Sequence, residues 1–113
     1  MTSRRAYVYE AELELAPGAD SRAPGGAVTV ALCGHWDHEG PCRWPHYSEI
    51  DTDHAPARLC TVFACPEEEV DDVHAAIDAA VRNADVWSVT SSARREPVGD
   101  EVDLGYRLAH EDG

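Results

Sequence analysis

Between Gly34 and Ala57 the chain carries Pro41, Pro45 and Pro56, two glycines and four of its six histidines, with no helix or strand period running through them. Proline removes a backbone donor and glycine loosens the chain, so such a stretch favours turns over regular structure. A loop of about two dozen residues is long for a compact domain and needs something other than a core to hold it. The core must therefore come from the residues on either side of it.

Before the loop, Tyr7, Tyr9, Ala11, Leu13 and Leu15 alternate with Val8, Glu10, Glu12 and Glu14, which predicts a half-buried strand with one acidic face. Ala16 to Gly26 holds two prolines and three glycines and reads as a connection. Ala27 to Cys33 reads as a second strand, with Val28, Val30 and Leu32 on one face. After the loop, Arg58 to Cys65 is apolar or small on both faces and predicts a central third strand. Pro66 stands where a helix begins, and three glutamates follow in the dipole-favoured first turn. Val70, Val73, His74, Ile77, Ala80 and Val81 then recur at helical spacing to about residue 82. Val86 to Thr90 predicts a fourth strand. The alternation of Val102, Leu104, Tyr106 and Leu108 predicts a fifth.

The order β-β-β-α-β-β predicts one α+β domain over residues 1–113. Its sheet would be antiparallel or mixed, with four or five strands and one helix on one face, a ferredoxin-like or related two-layer sandwich. The far face would set the three glutamates of the first strand beside Cys60, Val62 and Ala64 of the third. That apolar strip calls for cover, from the 34–57 loop or from a second copy in a homodimer.

The chain has 22 acidic residues against 9 basic ones, all arginine, for a net charge of −13. Such a field repels a phosphate backbone and an anionic bilayer, which argues against nucleic acid and membrane as partners. No stretch approaches the roughly 20 apolar residues of a spanning helix. Glu10, Glu12 and Glu14 arrive too early for a secretory leader, so the expected location is cytoplasmic. Thiols stay reduced there, and the four cysteines point to metal or reactive roles before disulfides.

The chemistry concentrates in Cys33-Gly-His35-Trp-Asp-His38-Glu-Gly-Pro-Cys42-Arg-Trp-Pro-His46, with the spacing Cys-x-His-x2-His-x3-Cys-x3-His. Imidazole nitrogen and thiolate sulfur are the usual ligands of zinc, and ligation would hold a loop that lacks a core. The expected ligands are His35, His38, Cys42 and His46, all past the strand, with Cys33 in reserve. Asp37 and Glu39 would orient the rings, and Trp36 and Trp44 would wall the site from water. Zinc leads among the metals, with copper and nickel sharing the same donors. Four protein ligands would make a closed structural or metal-handling site. Three histidines plus an acidified water, with Glu39 as base, would make a hydrolase- or lyase-type enzyme. A metal-free dimeric interaction or ligand-binding module is the third alternative.

Other residues have plainer readings. Cys65, just before the helix, reads as packing rather than a nucleophile, because three glutamates oppose thiolate formation. Cys60 reads as inert packing on the opposite face. Asp51, Asp53 and His54 read as turn residues rather than a metal site. His74, on the apolar stripe of the helix, reads as a satisfied histidine at the edge of the core. Ser91 to Arg95, the one basic cluster, reads as a solvated turn.

Overall fold

The computed structural model describes residues 4–33, 44–53, 56–84 and 86–110. Strand β1 (Arg4–Leu15) lies at the middle of the sheet, antiparallel to β3 (Ala57–Pro66) on one side and to β4 (Trp87–Arg95) on the other. Strand β2 (His46–Asp51) pairs antiparallel with the outer side of β3, so the order is β2-β3-β1-β4. Helix α1 (Ala23–Cys33) connects β1 to β2, and α2 (Val70–Arg82), entered through a single 3-10 turn at Glu67–Glu69, connects β3 to β4. Each helix thus links two parallel strands with a third between them. These two split β-α-β units make the ferredoxin-like arrangement. A third helix, α3 (Asp100–Ala109), follows β4. The α+β class is as the sequence predicts, and the antiparallel four-stranded sheet falls within the expected antiparallel or mixed sheet of four or five strands, but among the described residues three helices stand where one was expected.

The register assigns the two faces. Tyr7, Tyr9 and Ala11 of β1 stand opposite Phe63, Thr61 and Leu59 of β3. With Leu13 they form one core with Val28 and Leu32 of α1 and Val70, Val73, Ile77 and Val81 of α2. The far face sets Val8 against Val62 and Glu10 against Cys60. The helix over 70–82 is amphipathic as its spacing predicts, with Asp71 and Asp72 outward, while Asp78 accepts from the buried Tyr9 hydroxyl at 2.7 Å.

Three element assignments differ from the sequence reading. Ala27–Cys33 belongs to a helix, not a strand. Pro24, Val28 and Leu32 are buried at four-residue intervals, whereas Val30, expected on their face, is 48% exposed. Pro24 lies in the first turn, where a helix needs no donor from it. There it starts the helix rather than breaking it. Likewise, 102–108 is helical. Leu104 and Leu108 pack inward while Val102 and Tyr106 face solvent. Acids fill the first turn of α3, Arg107 the last, and Glu101 Oε1 accepts the Val98 N–H at 3.1 Å. An alternation over only seven residues is also one stripe of a helix, and those terminal charges decide which. Finally, β2 lies inside the stretch read as loop, where His46, Ser48 and Ile50 alternate with exposed Tyr47, Glu49 and Asp51.

Helix α3 also supplies cover for the far-face strip. Leu104 and Leu108 pack on Val8, Val62 and Ala64. Gly105 makes this possible, because a Cβ there would stand 2.6 Å from the Cβ of Ala6. The residues read as a basic turn form the second half of β4, and its arginines are paired. Arg95 donates to Glu101 through two nitrogens, at 2.7 and 3.0 Å, and to Glu10 at 2.9 Å. Arg94 meets Asp71 at 3.1 Å. The Arg95 fork holds the start of α3 against β1 and β4.

Candidate functional site

Helix α1 and strand β2 are the two elements that flank the Cys/His-rich segment in the chain. His46, the first residue of β2, is the one expected ligand within the described residues. His35, His38 and Cys42, with Trp36, Asp37 and Glu39, lie outside them, and of Cys33 only the backbone is described. Among the described residues no three His, Cys, Asp or Glu side chains are grouped as a cation would need.

His46 is held from both ring nitrogens. Nδ1 lies 3.1 Å from the Trp44 carbonyl oxygen, which only accepts, so Nδ1 carries a hydrogen. In the neutral ring Nε2 is then the lone-pair nitrogen, 3.1 Å from the Thr29 hydroxyl of α1. That hydroxyl has a second acceptor, the Gly25 carbonyl at 3.2 Å. The backbone beneath the ring is anchored too. The Pro45 carbonyl accepts from the Ala64 N–H at 2.9 Å, and Trp44 Nε1 donates to Glu69 at 3.3 Å. Trp44 is partly buried against the main core.

Beside the ring, α1 and β2 enclose a cleft of about 440 Å³, lined among others by Arg22, Gly25, Thr29, Ser48 and Leu59. Gly25 keeps it narrow, since a Cβ there would touch Ser48 at 3.4 Å. Ser48 and the fully buried Thr61 share a hydrogen bond at 2.8 Å across β2 and β3, which satisfies the floor. Thr29 and Gly25 went unread as site residues because their segment reads as strand and loop. The four-residue spacing of Pro24, Val28 and Leu32 is the signal that would have set Gly25 and Thr29 on one adjoining helical face.

The other candidates separate cleanly. Cys65 is buried in the main core, and burial, followed by the Glu69 charge, pushes its thiol up to about 11. It is packing, not a nucleophile. Cys60 is half-buried on the far face with its thiol also pushed up, first by burial and then by Glu10. Asp51 accepts the Asp53 N–H at 2.9 Å, a turn contact as expected, while His54 lies outside the described residues. His74 is on α2 as expected but is not satisfied. Its Nδ1, like the Tyr7 hydroxyl, is buried without a hydrogen-bond partner among the described residues. Burial, and next the Arg94 charge, pull the His74 pKa down. Among the described residues no helix is long and apolar enough to cross a membrane. No protein-family model matches this chain, and no curated protein matches it.

Proposed function

We propose that this chain binds a transition metal ion, zinc first, through His46 together with His35, His38 and Cys42, in a structural or metal-handling role. One observation carries the reading. The His46 ring donates through Nδ1 to a backbone carbonyl, as metal-ligating histidines do, which leaves Nε2 with the lone pair that a cation would take. Thr29 is suited to this exchange: its hydroxyl turns to the Gly25 carbonyl when Nε2 takes a cation. Reduced thiols and imidazoles within 14 positions supply the remaining donors.

An open site with hydrolase- or lyase-type chemistry is the second reading, favoured by the cleft beside His46, which has room for a small molecule next to the metal. A metal-free module that pairs with a second copy is the third. Elemental analysis of untagged protein, expressed with zinc in the medium, tests the first two together. The expected result is an equimolar metal that a chelator removes with a fall in melting temperature, and that His46→Ala fails to retain. Protein without metal above trace, and without a melting shift on adding zinc, overturns both. X-ray absorption then distinguishes them, since four protein donors mean a closed site and an exchangeable water an open one.

A further inference from the structure

We propose that two copies of this chain pair about a two-fold axis through the outer face of α3, with Val102 and Tyr106 at the seam and Asp103 of each helix against Arg107 of the other. This stands apart from the metal reading, since none of these residues borders His46.

The apolar part of the surface is a stripe. Val102 and Tyr106 stand four residues apart on α3 and are 53% and 65% exposed; with Val98, which precedes the helix and is 62% exposed, they are three of the six large apolar side chains that the fold leaves most open. Four-residue spacing on a helix is one face. The Tyr106 ring is stacked on His110, centroids 4.1 Å apart, so it presents a set surface. The helix beneath is fixed by the Gly105 contact with Ala6 and by the Arg95–Glu101 fork. Pairing would therefore cost little reordering.

Charge selects the occupant. Along one side of the stripe Asp103 and Arg107 are exposed, and neither forms an ion pair among the described residues. The helix is acidic in its first turn and basic in its last. Laid antiparallel on a second α3, each acidic end meets a basic end, twice by symmetry, and the two helix dipoles oppose. Laid parallel, acid would meet acid. A uniformly acidic or basic partner would pair with only one of Asp103 and Arg107, whereas a second copy pairs with both. Ten residues make a helix about 15 Å long. That is a short seam beside the roughly 1,200 Å² that stable interfaces bury, so the pair forms reversibly with concentration.

Sedimentation velocity on the full chain over a concentration series is the test, with far-ultraviolet circular dichroism and melting to confirm that each variant folds. The native chain should pass from monomer to dimer as concentration rises. Tyr106→Glu should raise the dissociation constant at least about tenfold, and Arg107→Asp, which sets acid on acid, should also raise it. The exchange Asp103→Arg with Arg107→Asp restores complementarity and should restore the dimer. A monomer at every concentration overturns the proposal. So does a dimer that Tyr106→Glu leaves intact, or an exchange variant no better than Arg107→Asp alone.

Discussion

On the helix-packed face of the sheet, Tyr9, Leu13, Leu59 and Phe63 meet Val73, Ile77 and Val81 with no solvent exposure at any of them. On the opposite face Val8, Val62 and Ala64 share the surface with Glu10, Glu12 and Arg58, and their cover is one short helix. Burial is non-directional, so the first face sets how stable the sheet is while saying little about where each helix lies. The second face has little apolar area to spend on α3. Placement there comes from directional contacts, the Arg95 fork and the close approach at Gly105. Cutting into each face should therefore give different failures, one global and one local.

The largest effect belongs to the dry face. Ile77→Ala leaves a cavity between α2 and the sheet, and should cost about 3 kcal/mol, read as a shift in urea midpoint with an unchanged slope. On the far face, Gly105→Val drives a branched side chain into Ala6, with Pro97 and Val62 also within 4 Å of its Cβ. Overpacking of this kind costs about 2 kcal/mol. Amide exchange should locate it, with α3 losing protection while α2 and β3 keep theirs. If Gly105→Val instead melts the whole protein uniformly, the two faces are one cooperative unit and the contrast fails.

The same contrast explains what could be read from the sequence. Strand β1, β3 and α2 were legible because each commits many residues to the dry face. Five alternating apolar residues from Tyr7 to Leu15, and the Val70, Val73, Ile77 and Val81 stripe, each fit a single period. Helices α1 and α3 give few residues to any core, and over seven positions a stripe at four-residue spacing also passes for alternation. Strand β2 is six residues at the sheet edge, half of them polar and outward, so its signal is smaller than that of the prolines around it. The candidate site follows the same rule. His46 was legible by residue type, whereas its neighbours Thr29 and Gly25 became visible only once α1 was a helix.

The smallest effect lies at the edge of the dry face, at the half-buried His74. His74 packs its ring against Tyr9 of β1, centroids 5.4 Å apart, with Asp71 and Asp78 on its own helix and Arg94 on β4 as the charges around it. Burial is the main reason its pKa lies below the usual value, and the Arg94 charge adds to it. The folded protein thus binds the proton less readily than the unfolded chain, whose histidine titrates near pH 6.5. Stability from this residue is full above about pH 6.5 and falls as pH drops through that value toward the lower folded pKa. The carboxylates whose pKa values the fold depresses, Asp78 and Glu101, lose their contribution only below about pH 4. Urea melts of the native chain and of His74→Leu between pH 7.5 and 5 should shift against each other as pH falls, the native chain losing stability that the leucine variant keeps. Parallel curves would mean that the ring takes up its proton as freely folded as unfolded, and that the dry face admits water at His74.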